Sequence, residues 1–102
     1  MYKRLYKEET KRYYNRILNE TIEIVEECLK QNFSPIYNVI YSQLLDIKKN
    51  IVEKAVFTNS DDINDRYTLG SIAVHNFDDN NEMQERLIDI FSGACDYHLL
   101  EE

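Results

Sequence analysis

Residues that form tight turns are almost absent from this sequence. Its 102 residues contain only Gly70, Gly93 and Pro35 from the two residue types that interrupt regular structure most strongly. A β-sandwich or barrel of this length needs many tight turns, and a doubly wound α/β fold needs glycine-rich turns between strand and helix. The sequence has too few glycine and proline residues for either kind of fold, so it favours an all-α fold of long helices joined by few connections.

Size and composition predict a single globular domain over residues 1–102. Hydrophobic residues make up 43% of the chain and charged residues 30%, which excludes a disordered polymer. The sequence has no apolar run long enough to cross a bilayer, and its basic N-terminus lacks the apolar segment of a secretory signal. Cys28 and Cys95 have apolar neighbours and are expected to be buried free thiols. The expected compartment is a reducing cytoplasm.

Apolar periodicity predicts a long antiparallel hairpin in the first half of the chain. The first helix is expected over about residues 2–31, with one apolar face at three- and four-residue spacing. Ser34 and Pro35 suit the N-cap and the first position of a second helix, expected over about residues 35–58. That helix carries two adjacent apolar stripes, so we expect it to be the central helix with more than one neighbour.

Two shorter helices are predicted in the second half, over about residues 62–77 and 82–99. They follow polar turns at 59–62 and 78–81. The stretch 67–77 is rich in β-forming residues, so a strand there is the alternative, but a lone strand would have no partner. The predicted fold is therefore a four-helix arrangement. Its core is expected to include Ile17, Val25, Ile40, Leu44, Ile47, Ile51, Val74, Leu87, Ile90 and Phe91.

Charge is distributed unevenly along the chain, whose net charge is −7. Residues 1–51 carry nine Lys and Arg against seven Asp and Glu, whereas residues 52–102 carry three against twelve. Acidic residues at helix starts stabilise the helix dipole, which is one interpretation. The other is an acidic surface that attracts a basic protein partner. The residues predicted to form that partner-binding surface are Asp61, Asp62, Asp65, Tyr67, Asp78, Asp79, Glu82 and Glu85.

The N-terminal stretch interleaves basic and tyrosine side chains. This pattern is typical of nucleic-acid binding or of a membrane surface. The negative net charge of the chain opposes nucleic acid, so we expect a solvated helix whose tyrosines pack on the second helix. Contact between this arm and the acidic half of another copy, which would give a homo-oligomer, is a further alternative.

The sequence lacks the motifs of catalytic, metal and cofactor sites. It has no glycine-rich phosphate loop, no zinc-type spacing of Cys or His and no nucleophile elbow. The run 78–82 lacks the glycine and the bidentate glutamate of a calcium loop. His75 and His98 are isolated. His75 is expected on the surface, whereas either Tyr97 or His98 is expected on the inward face of the last helix. The sequence therefore predicts no metal, no cofactor and no enzymatic activity.

One local motif resembles that of a known family. Ser42-Gln43-Leu44-Leu45-Asp46 resembles the Ser-Gln-x-Leu-Asp signature of the small sporulation-regulator aspartyl-phosphate phosphatases, with Leu44 at a position that is usually acidic. The resemblance covers residues 22–46 and implies a helical hairpin that meets a phosphorylated response regulator. It further implies that Gln43 and Asp46 are the functional residues in the loss of the phosphate.

The sequence as a whole favours a non-enzymatic inhibitor that binds another protein. The chain is small and acidic and has eight tyrosines, a residue type enriched at protein interfaces. The function we favour from sequence is a bacterial immunity protein that neutralises a toxin, for example a nuclease, through the acidic surface. The alternatives are the phosphatase-like regulator and a self-associating structural protein.

Overall fold

A computed structural model describes residues 2–31, 34–56, 59–79 and 81–102. These residues form helices and no strand, which confirms the predicted all-α class. The described part contains five α-helices where four were predicted: α1 (Lys11–Gln31), α2 (Pro35–Ile47), α3 (Ser60–Arg66), α4 (Leu69–Asn76) and α5 (Glu82–Cys95). A π-helical segment, Lys48–Glu53, continues α2, and 3-10 turns lie at Leu5–Lys7 and Tyr97–Leu99.

Helix α1 begins at Lys11, well after the predicted start near residue 2. The hydroxyl of Thr10 accepts a hydrogen bond from the amide of Tyr13 at 3.0 Å, as an N-cap side chain does. The residues before Thr10 do not extend the helix because the carboxylate of Asp89 binds them to α5. The inward face of α1 includes Tyr14, Ile17, Leu18 and Val25.

Helix α2 packs against α1 as the predicted antiparallel hairpin. Pro35 lies in its first turn, where the missing amide proton costs little. The helical segment ends at Glu53, and the predicted end near Thr58 lies outside the described residues. Ala55 follows with a φ of 52°, a left-handed conformation common after helix ends. The buried residues of this segment are Ile40, Leu44, Ile47 and Ile51.

The predicted third helix is two helices, α3 and α4. The backbone of Tyr67 is extended (φ −115°, ψ 143°), and its ring is buried with 2% of its surface exposed. This break resets the helical phase, so α4 buries Ile72 and Ala73 and leaves Val74 62% exposed. The prediction that Val74 is buried was therefore wrong. The helix favoured for 67–77 over a strand is confirmed for Leu69–Asn76.

Helix α5 lies at the centre of the fold, a position predicted for α2. It packs against α1, α3 and α4. The hydroxyl of Tyr14 donates to the carbonyl of Ile90 at 2.7 Å, and Gln84 donates to the carbonyl of Ala73 at 3.3 Å. α5 ends at Cys95, before the predicted end near residue 99. The predicted core residues other than Val74 are buried, except that Phe91 is half-buried.

Candidate partner-binding site

The carboxylate of Asp46 connects α2 to the junction between α3 and α4. It accepts hydrogen bonds from Arg66 Nε at 2.7 Å, from Arg66 Nη2 at 2.9 Å and from Asn50 Nδ2 at 2.9 Å. The hydroxyl of Tyr67 donates to the same carboxylate. The guanidinium of Arg66 holds the pKa of Asp46 below its usual range. The pKa of Tyr67 is raised, mainly by burial of its hydroxyl and also by the hydrogen bond to the Asp46 carboxylate. At neutral pH Asp46 is therefore ionised and Tyr67 remains a donor.

The side chain of Gln43 binds the same junction one turn earlier on α2. Its Nε2 donates to Thr68 Oγ1 and its Oε1 accepts from the Thr68 amide, both at 2.8 Å. Gln43 and Asp46 line a shallow groove of about 270 Å³ with Ser42, Arg66 and Tyr67. Both residues of the phosphatase resemblance thus have partners within the chain, and the phosphatase role stays a prediction.

The first predicted acidic group lies on α3. Asp61, Asp62 and Asp65 are exposed, and the side chain of Asn59 caps the helix by accepting from the Asp61 amide at 2.7 Å. Asp61 and Asp62 occupy the first turn, where a negative charge also stabilises the helix dipole. The buried ring of Tyr67 does not contribute to this exposed surface.

The second predicted acidic group lies at the start of α5. Asp78, Asp79 and Glu82 are exposed, and Glu82 accepts a hydrogen bond from Arg86 Nε at 3.0 Å. Glu85 is half-buried and pairs with Arg4 at 3.5 Å. Three of the four predicted residues in this group are therefore accessible to a partner, while Glu85 binds the N-terminal segment.

The two acidic groups lie near opposite ends of α5. The side chain of Asn64 on α3 contacts the thiol of Cys95 at 3.7 Å, which places α3 beside the C-terminal end of α5. Asp78 and Asp79 precede its N-terminal end. A helix of this length spans about 20 Å, so the structure does not merge the two groups into one patch.

The basic N-terminal arm is bound within the chain. Arg4 and Tyr2 contact the carboxylate of Asp89, and Lys3 pairs with Glu8 at 2.7 Å. These contacts place Tyr2 on α5, whereas the sequence predicted that the tyrosines of the arm pack on the second helix. They also pair Lys3 and Arg4 within the chain, two of the cations of the arm that could otherwise bind the acidic half of another copy.

The free thiols and histidines form no cluster with carboxylates that could hold a metal ion, within the described residues. His75 is exposed as expected, and of the two alternatives for the inward position Tyr97 is buried while His98 is exposed. Cys28 and Cys95 are unpaired but only half-buried, whereas the sequence predicted buried thiols. Burial raises the pKa of the Cys95 thiol. In the same described ranges, no helix combines the length and the hydropathy required to cross a membrane.

We expect Asp46→Asn to lower the free energy of unfolding by about 1 kcal/mol at pH 7, because a half-exposed ion pair and its hydrogen bonds are lost. Because the pKa of Asp46 is lowered by folding, its contribution is complete above the unfolded value of about 4 and disappears as the pH falls through the folded pKa. Urea unfolding should therefore show a difference between variant and wild type that shrinks below pH ~4. Asp65→Asn, which removes an exposed carboxylate from α3, is the control and should change stability little.

Fold and surface together define a small all-helical protein with two exposed acidic groups, one on α3 and one at the start of α5. Comparison with protein families identifies the family to which it belongs. The chain belongs to the Tsi6 family, whose family model matches residues 9–95. Tsi6 is a toxin-immunity family of type VI secretion, so membership implies a protein toxin as the partner. Comparison with curated proteins and with solved structures gives no significant match.

Sequence reasoning missed the role of Arg66 and Thr68 at the α3–α4 junction. A signal was present, because Arg66 is the sole Lys or Arg in the sequence between Lys54 and Arg86. An isolated cation in a strongly acidic region suggests a specific carboxylate partner. The partner itself, Asp46, could not be identified without the break at Tyr67.

Proposed function

We propose that this protein neutralises a cognate toxin by binding it stoichiometrically and covering its functional surface, without catalysing a reaction. The membership of residues 9–95 in a toxin-immunity family carries this proposal. A protective effect that requires at least one copy of this chain per toxin molecule supports it. Protection of many toxin molecules by one copy would contradict it, since a catalyst turns over and a stoichiometric inhibitor does not.

The partner we propose is basic. The exposed carboxylates of α3 and of the α5 start would steer such a partner during association and disfavour acidic competitors. A nuclease is one toxin class with this charge, because its site must attract phosphates. An assay of nucleic-acid cleavage by the purified toxin domain tests separately whether the partner is a nuclease.

Neutralising either acidic group should slow association with the cognate toxin domain. We expect Asp61→Asn/Asp62→Asn and Asp78→Asn/Asp79→Asn each to lower the association rate several-fold at low salt, with a smaller effect at ~0.5 M salt, where screening is strong. Stopped-flow or surface plasmon resonance with a catalytically inactive toxin domain measures the rates.

Glu9→Gln/Glu101→Gln removes the same charge elsewhere and is the matched control. Both glutamates are exposed and line one groove beside the C-terminal turn. An equal loss of rate in this control would show a general effect of net charge, which contradicts the proposed acidic surface. If wild type and toxin form no complex even at low salt, the proposed function itself fails.

A further inference from the structure

The outward face of α2 carries no charge from its start to Leu45, and it is bordered at its C-terminal end by the ion pair of Asp46 with Arg66. Residues 31–45 contain no Asp, Glu, Lys or Arg, although 30% of the chain is charged. Burial accounts for the inward residues of this run but not for the outward ones. On that outward face Val39 and Leu45 keep 44% and 41% of their surfaces exposed. The α2 face, as we call it, comprises Asn38, Val39, Ser42 and Leu45, all exposed.

The neighbouring helix α1 shows that an uncharged exposed face is not general in this protein. Like α2, α1 has one buried side and one solvent side. Its exposed positions are mostly charged, and they include Arg12, Arg16, Glu23, Glu26, Glu27 and Lys30. Solvation alone therefore does not explain the composition of the α2 face. Depletion of charge is the compositional signature of the buried centre of a protein interface.

Helix α2 also connects the two acidic groups that lie near opposite ends of α5. Near its C-terminal end, Asp46 binds Arg66, which shares a face of α3 with Asp62 one turn earlier. Near its N-terminal end, the ring of Tyr37 lies 6.1 Å from that of Phe77, the residue before Asp78. The distance along α2 between these two contacts is only about 14 Å.

We propose that the α2 face is the uncharged centre of the toxin-binding surface, with an acidic group toward each end. This inference rests on the proposed function and locates its binding surface. An ordinary interface covers about 800 Å² of each partner, a patch about 30 Å across, which is wide enough for α2 and both acidic groups. The partner that fits is a toxin domain with an apolar patch between basic residues.

Charge disfavours a second copy of this chain as the occupant. Each copy carries a net charge of −7, and self-association through the α2 face would bring the acidic groups of both copies close together. The four residues of the face are also too few for a stable dimer without the charged surroundings. A basic partner would instead be attracted by the same acidic groups.

Ser42 lies in the middle of the α2 face and is the position to test. Ser42→Glu and Ser42→Arg each place a charge where the interface would be desolvated, and we expect each to weaken binding of the inactive toxin domain about tenfold or more. Loss with both signs identifies a desolvated centre, because a purely electrostatic contact to a basic partner would lose affinity with Arg alone. Isothermal titration calorimetry measures the affinity, and circular dichroism checks the fold.

Ser92→Glu and Ser92→Arg are the matched controls. Ser92 is an exposed serine of α5 that lies beside Leu5 and Tyr6, and its variants should bind as wild type does. Failure of the wild type to bind counts against the proposed function, whereas a wild-type complex that both Ser42 variants form with unchanged affinity overturns only the α2 inference. A dimer of the isolated wild type that the Ser42 variants lose would assign the face to a second copy, and it would also overturn the inference.

Discussion

Gly93→Ala should lower the free energy of unfolding by about 2 kcal/mol and the Tm by roughly 10 °C, because the added methyl group overpacks the core. A Cβ atom at this position would lie 2.6 Å from Tyr14 Cε2 and 2.7 Å from Leu5 Cδ2. The ring of Tyr14 has little room to move, since its hydroxyl donates to the Ile90 carbonyl and its ring packs against that of Tyr97 at a centroid distance of 5.4 Å. Urea unfolding and calorimetry measure the effect.

Gly70→Ala is the control for this prediction. Its Cβ would meet Phe91 Cδ2 at 3.1 Å, but Phe91 is only half-buried and its ring can shift. The higher helix propensity of alanine offsets the remaining crowding, so we expect a change within about 0.5 kcal/mol. Equal stability of Gly93→Ala and wild type would show that Tyr14 does not pack on Gly93, and the contact between α1 and α5 would need revision.

The contrast between the two glycines shows what the sequence could predict about the fold. Scarcity of turn residues predicted helices, and Ser34 with Pro35 predicted the start of α2 correctly, because these are local preferences of the backbone. The role of Gly93 depends on Tyr14 and Leu5, which lie about eighty to ninety positions earlier in the sequence. No local sequence pattern around Gly93 indicates that α1 and α5 approach each other closely there.

The errors in helix boundaries have the same cause. Helix α1 starts late because Asp89 binds the arm before it, and the third predicted helix breaks because Tyr67 reaches Asp46. Each break is made by a carboxylate distant in sequence. Local periodicity alone joins Ile63 to Val74 on one stripe, so it placed Val74 in the core.

The candidate site was only partly predictable from the sequence. The acidic residues of α3 and of the α5 start were identified from charge alone, and most are exposed. Their separation by α5 and their connection through α2 depend on packing. The charge-free run 31–45 is visible in the sequence, but its meaning depends on which of its residues face solvent, and the sequence-based assignment of α2 as the central helix concealed that.

We expect Asp89→Ala to lower the free energy of unfolding by about 2–3 kcal/mol, because a nearly buried carboxylate with several donors is removed. The side chain is 8% exposed and accepts from Tyr2 Oη at 2.6 Å, from Arg4 Nε and Nη2 at 2.9 Å and from the Leu5 amide at 3.0 Å. Burial and the adjacent carboxylate raise the pKa of Tyr2, so its hydroxyl stays protonated as a donor at neutral pH. Hydrogen exchange at the Leu5 amide should accelerate in the variant.

Glu85→Ala separates this role from a simple loss of charge near Arg4. Glu85 lies one turn before Asp89 and pairs with the same guanidinium at 3.5 Å, but its side chain is 32% exposed, so we expect a loss below about 1 kcal/mol. Equal losses for the two variants would contradict the assignment of Asp89 as the residue that holds the arm. If the α2 face binds the toxin, folded Asp89→Ala protein with a released arm should keep wild-type affinity, because the arm packs on α5 and α2 does not depend on it. Loss of binding on release of the arm would instead place the basic N-terminal residues in the interface.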